Sequence, residues 1–154
     1  INMALSDNRG SREFDKFVAD GSGDTSLRVT TTTAVTTSAS NTTATVEDTS
    51  AASASVVLTE TDVEGKSRIG IQIFNTGSSN SNQNATFKVY GTLKSSPGTV
   101  GGSNWTQIGD DIAVTYNTSA YKAISTTPVK AVGITGQTGH STQTSTCDVY
   151  LMAD

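Results

Sequence analysis

Between residues 68 and 74 the chain reads RIGIQIF, and every second residue of this stretch is an isoleucine. Side chains alternate between the two faces of an extended strand, so Ile69, Ile71 and Ile73 share one face. A helix would need apolar residues three or four positions apart, and no segment of the chain sustains that spacing. The stretch therefore predicts a β-strand with one buried face.

Strand-like patterns of the same kind continue on both sides of this stretch. We predict about eight short strands, at residues 55–59, 68–74, 85–93, 105–108, 112–116, 121–124, 129–134 and 147–152. Loops rich in Gly, Ser and Asn separate them. This arrangement predicts an all-β fold, an antiparallel β-sandwich or jelly roll, over residues 51–154. In the strand at 85–93 we expect Phe87, Val89 and Leu93 to face inward.

Residues 1–50 differ in composition from this predicted sandwich domain. They begin with a polar arm, and the turn sequence DGSGD at 20–24 predicts a β-hairpin over residues 13–32. Residues 30–50 are mostly Ser, Thr, Ala, Val and Asn, with too few apolar side chains to build a core. This tract suits either a linker or an extended strand that adds to the sheet edge of another subunit.

The predicted hairpin has apolar side chains but few partners for them. A lone two-stranded hairpin is marginally stable in water, so it needs another surface to pack against. We therefore expect residues 1–50 to be an assembly segment; the alternative, that the hairpin folds back onto its own sandwich, stays open. The residues expected to make the assembly contacts are Phe14, Phe17, Val18, Leu27 and Val29.

The composition argues against two classes of partner. Lys and Arg number 10 against 14 Asp and Glu, for a net charge of −4, and the basic residues are scattered along the chain. Nucleic acids and anionic membranes both require a concentrated basic surface, so we predict neither as a partner. Cys147 is the only cysteine, which excludes an intrachain disulfide, and we expect it to be a small buried side chain.

No set of residues forms a convincing catalytic or metal site. His140 is the only histidine, and it is expected in a solvated loop although a serine follows it. Glu60, Asp62 and Glu64 alternate in the sequence and would share one face of a strand, where an exposed acidic face is favoured over a calcium site. Trp105 is expected in the core, whereas an exposed Trp would suggest sugar stacking. We therefore predict no catalytic residues, no cofactor, no metal and no enzymatic activity.

Four stretches carry a resemblance to a known class of protein. They are REFDKFVADGSGDTSLRV at 12–29, FKVYGTL at 87–93, WTQIG at 105–109 and CDVYLMA at 147–153. Together they resemble structural proteins of tailed-bacteriophage virions that contain a small β-sandwich. The resemblance covers most of the chain except the tract at 30–50.

This resemblance implies a non-enzymatic protein located in the virion. It suggests an accessory decoration or cement protein that attaches to the phage particle through its N-terminal arm. Its partners would then be other virion proteins and copies of itself, in a homo-oligomer. Three alternatives stay open: a phage neck, tail or fibre component, a carbohydrate-binding or adhesive β-sandwich module, and a secreted surface filament.

Overall fold

The computed structural model describes residues 38–51, 53–77, 80–126 and 128–154. The prediction of an all-β, antiparallel sandwich is confirmed, since this part of the chain forms nine strands and one short 3-10 turn. Within these residues no helix has the length and apolar character needed to cross a membrane. The strands are β1 Ser38–Val46, β2 Ser55–Asp62, β3 Arg68–Asn75, β4 Ala85–Thr92, β5 Thr106–Gln107, β6 Ile112–Val114, β7 Thr118–Ser125, β8 Ala131–Thr138 and β9 Ser145–Ala153.

The strands form two sheets with the connectivity of a jelly roll. The first sheet has the order β1-β9-β3-β7, and the second has the order β2-β8-β4-β5, with β6 also paired to β4. Strands β1 to β4 alternate between the sheets, and so do β7, β8 and β9. Strands β5 and β6 pair with different parts of β4, so they act together as one interrupted strand. This is the double-sheet arrangement that buries one face of each sheet.

The core lies between the two sheets. Ile69, Ile71 and Ile73 are fully buried, as the alternation predicted. Phe87 is the largest fully buried side chain, and its ring lies over Gly136 of the neighbouring strand β8. Trp105 is also buried, and its indole Nε1 donates a hydrogen bond of 3.2 Å to the backbone carbonyl of Gly98. Trp105 is therefore buried, as predicted, but in a separate small cluster with Val100 and Ala131 and not in the core between the sheets.

The predicted start of the sandwich at residue 51 is wrong. Strand β1 pairs with β9 over its whole length, from Ser38 opposite Ala153 to Val46 opposite Ser145. The side chain of Val46 is fully buried among residues of both sheets. The sandwich thus includes part of the tract that was assigned to assembly.

The expected inward orientation of Leu93 is also wrong. Strand β4 ends at Thr92, and the alternation breaks there because Gly91 and Thr92 are both buried. Leu93 lies beyond the strand, with 69% of its surface exposed.

Candidate functional site

Most edges of the two sheets carry features that hinder pairing with another strand. Edge strand β2 shifts register against β8 on both sides of Leu58, and β5 and β6 are only two and three residues long. On β7, Lys122 occupies an inward position opposite Ile71, and its Nζ lies 3.4 Å from a carboxylate oxygen of Asp110. Irregularity, shortness and an inward-pointing charge are established ways of protecting a sheet edge.

The edge formed by β1 has none of these features. It is nine residues long, reads SASNTTATV, and contains no charged residue and no proline. Its register against β9 is continuous, and no strand of the described residues pairs with its other side. Within the described part of the chain, the backbone N–H and C=O groups on that side are therefore available to a further strand.

Strand β1 is attached by its backbone and by small side chains. Val46 is its one large buried residue, and Ala44 is partly buried against the core. On the outer face, the Thr43 hydroxyl donates a hydrogen bond of 2.6 Å to Asp148 on β9. The strand therefore depends mainly on pairing with β9 for its position.

A second feature is a groove on the outer face of the first sheet, which we call the tyrosine groove. It measures about 430 Å³. Its rim carries large exposed side chains, with Tyr121 70%, Met152 55% and Tyr150 42% exposed. The lining residues are Asn41, Arg68, Gly70, Gln72, Tyr121, Tyr150, Leu151, Met152 and Asp154.

Each tyrosine ring of this groove contacts a residue of strand β3. The hydroxyl end of Tyr121 lies against Gly70, where an added Cβ would meet the phenolic oxygen at 3.0 Å. Tyr150 packs edge-to-face with Phe74, at a ring-centroid distance of 5.8 Å and an interplanar angle of 82°. Gly70 thus provides space for one ring, and Phe74 supports the other.

His140 does not form a nucleophile–base pair with a described serine. Its Nδ1 accepts a hydrogen bond of 3.2 Å from the Thr142 backbone N–H. The nearby Ser50 hydroxyl donates to the Asp48 carboxylate instead, and this bond is the main cause of the lowered pKa of Asp48. A serine nucleophile needs its hydroxyl directed at the base, which is not the arrangement here.

The acidic residues at the end of β2 do not share one face as predicted. Glu60 and Asp62 lie on the strand, but Glu64 lies in the turn that follows it. Asp62 accepts a hydrogen bond from the Glu64 backbone N–H, and the Glu64 carboxylate pairs with Lys130 at 3.6 Å. Among the described residues, no group of three or more acidic, His or Cys side chains is arranged to hold a metal ion.

Two further groups, the Cys147 thiol and the Asn75 side-chain amide, are buried in the sandwich. Cys147 is buried in the core, and burial raises the pKa of its thiol to about 12. Asn75 is buried beside it in the sheet, where its side chain accepts from Ser145 at 2.6 Å and donates to the Gln83 carbonyl at 2.7 Å. These groups have partners or apolar surroundings, so neither is a candidate site.

The predicted assembly contacts Phe14, Phe17, Val18, Leu27 and Val29 lie outside the described residues. The tyrosine groove, in contrast, was not predicted. The signal was present in the sequence, because Phe74, Tyr150 and Met152 occupy strand positions that alternate with buried residues. An aromatic residue on a strand indicates a surface site only after it is known which face of the strand points into the core.

The chain is similar to two solved structures at low sequence identity. No protein-family model matches the chain, and no curated protein sequence matches it. One similar solved structure comes from Bacillus endospore appendages, described as a novel family of disulfide-linked pili; it shares 11% identity, covers 76% of this chain and 85% of that chain, and has a TM-score of 0.43. Another is the SPBc2 prophage-derived protein YomS, with 14% identity, coverage of 74% of this chain and 94% of that chain, and a TM-score of 0.38. Likenesses at this level do not extend to function.

Proposed function

We propose that this protein is a non-enzymatic structural protein of a virion, an accessory decoration protein that attaches through its N-terminal segment. Assignment to a virion is supported by the resemblance of residues 12–29 and of the sandwich strands to tailed-phage structural proteins. The single observation that carries the assembly mechanism is the open edge of β1, which is long, regular and uncharged.

In this proposal, the N-terminal segment of one copy adds a strand to the β1 edge of the next. Residues 30–37 read TTTTAVTT, a composition suited to an extended strand. Backbone hydrogen bonds supply the affinity in such strand addition and place few demands on sequence. Phe14, Phe17, Val18, Leu27 and Val29 would contact other virion proteins.

A head-to-tail contact of this kind joins two different surfaces of the same protein. Repeated contacts of this type produce a closed ring or an open chain, depending on the rotation between successive copies. Salt screens charged contacts but has little effect on backbone hydrogen bonds within a formed sheet. We therefore expect an oligomer that persists at high ionic strength.

A lysine on β1 tests this mechanism. Thr45 is exposed and lies opposite Thr146, so Thr45→Lys adds a charge to the open edge without removing a core contact. We expect the wild-type protein to form oligomers in sedimentation velocity, and the variant to associate at least about tenfold more weakly, because a lysine on an edge strand opposes pairing. Thermal unfolding should be nearly unchanged.

The matched control is Thr59→Lys on β2, an exposed threonine on an edge that is already irregular. It should leave association as in the wild type. A monomeric wild-type protein, or equal association of Thr45→Lys and wild type, would contradict assembly through β1.

The location of the protein on the particle needs a separate experiment, a map of the virion in which this chain is labelled. A decoration protein would give density on the capsid shell. The alternatives would give density at the neck, tail or fibre.

A further inference from the structure

We propose that the tyrosine groove is a binding site for a neutral oligosaccharide. This site lies on the outer face of the first sheet and includes Asn41 of β1, but it does not use the backbone edge of β1 on which the proposed function depends. The inference rests on the size of the groove, on the two exposed tyrosine rings, and on the balance of charge around them.

The rings offer apolar platforms on the surface of the sheet. Tyr121 lies on β7, and its hydroxyl end contacts Gly70 of the neighbouring strand β3 while most of the side chain stays exposed. Tyr150 on β9 is supported by Phe74. One face of a pyranose ring is lined by C–H groups and packs well on an aromatic ring. The contacts with Gly70 and Phe74 restrict the two rings, which reduces the side-chain entropy lost on binding.

Polar groups between and beside the rings suit sugar hydroxyls. Gln72 lies directly opposite both Tyr121 and Tyr150 in the sheet register, and Asn41 of β1 lies opposite Tyr150 on its other side. Each amide has both a donor group and an acceptor group, as each sugar hydroxyl does. The order Asn41, Tyr150, Gln72, Tyr121 therefore alternates amides and aromatic rings across the four strands of the sheet.

The charge distribution selects an uncharged ligand. Arg68 and Asp154 lie at one end of the groove and pair with each other at 3.5 Å. Arg68 and Asp154 are the only charged residues among the described residues that line the groove. The other lining residues, which include Met152 and Leu151 beside the amides and phenols, are uncharged, so neither a polyanion nor a polycation finds an uncompensated opposite charge. The volume of about 430 Å³ lies within the range of ordinary ligand pockets.

Isothermal titration calorimetry with maltohexaose, cellohexaose and an N-acetylglucosamine hexamer tests the proposal on the full-length protein. We expect at least one of these probes to bind at millimolar or lower concentration. Tyr121→Ala should weaken binding at least tenfold, whereas Tyr121→Phe, which keeps the ring, should stay within about threefold of wild type. Gly70→Ala should also weaken binding, because its methyl group displaces the end of the Tyr121 ring.

Leu93→Ala is the control, since Leu93 is equally exposed but lies outside the groove. It should bind as the wild type does. The proposal is overturned if none of the probes binds at 5 mM, roughly the weakest affinity that such a site would have, or if Tyr121→Ala binds as well as wild type. It is also overturned if Tyr121→Ala changes only the sedimentation coefficient, because the groove would then be a contact between copies.

Discussion

At the scale of single residues, the pair formed by Phe87 and Gly136 shows how closely the sheets are packed. The two residues lie opposite each other on β4 and β8. A Cβ added at Gly136 would lie 2.7 Å from two atoms of the Phe87 ring, which is closer than packed carbon atoms approach. The glycine is thus required by the ring that covers it.

Gly136→Ala should consequently destabilise the protein by about 1–3 kcal/mol through overpacking. In the background of Phe87→Leu, which removes the overlapping ring atoms, Gly136→Ala should lower the free energy of unfolding by less. Urea unfolding of the wild type, the two single variants and the double variant measures this coupling. Gly139→Ala is the control, because its nearest neighbour is the Asn84 carbonyl oxygen at 4.0 Å, and it should change stability by less than about 0.5 kcal/mol. Strictly additive effects would show that the ring does not impose the glycine.

At the scale of strands, alternation in the sequence predicts the strands that have a buried face. It does not predict β1, which is held mainly by its pairing with β9. All eight predicted strands are present, with boundaries that differ by a few residues. Strand β1 was not assigned to the sandwich because Val46 is its single large apolar residue, and its position depends on the backbone of β9. The tyrosine groove was not predicted for a related reason, since the pairing of β7, β3 and β9 is what brings Tyr121 and Tyr150 to one face of the sheet.

A disulfide test reports whether β1 pairs with β9 of its own chain. Ala44 lies directly opposite Cys147, and both side chains face the core, so Ala44→Cys places two thiols on facing strands. Because burial raises the pKa of the Cys147 thiol to about 12, the thiolate that drives exchange is scarce in the folded protein, and oxidation should be carried out during refolding in a glutathione buffer.

We expect Ala44→Cys to form an intrachain disulfide, seen as a monomer on a non-reducing gel, and to unfold at higher temperature than its reduced form. Thr45→Cys is the control, since its side chain faces outward opposite Thr146 and should not react with Cys147. A covalent dimer or ladder from Ala44→Cys would instead show that β1 is exchanged between copies.

At the scale of the whole molecule, the sandwich and the N-terminal segment have different proposed tasks. Because β1 belongs to the sandwich, the boundary that separates these tasks lies before Ser38 and not at residue 51. A fragment of residues 51–154 lacks β1 and exposes both the edge of β9 and the space left by Val46, so it is a poor test of assembly. A fragment of residues 38–154 retains the complete jelly roll.

The fragment 38–154 should unfold in a single cooperative transition but should neither form oligomers nor join particles, because it keeps the β1 edge and lacks the segment that pairs with it. The Thr45→Lys variant is complementary to the fragment, because it keeps residues 1–37 but carries a lysine on the β1 edge that opposes pairing. Mixing the two proteins should therefore yield a 1:1 dimer and nothing larger, which native mass spectrometry resolves. If the fragment assembles by itself, residues 1–37 are not the attachment segment. If it fails to fold, those residues belong to the core of the molecule, and the division between a folded sandwich and an assembly segment is wrong.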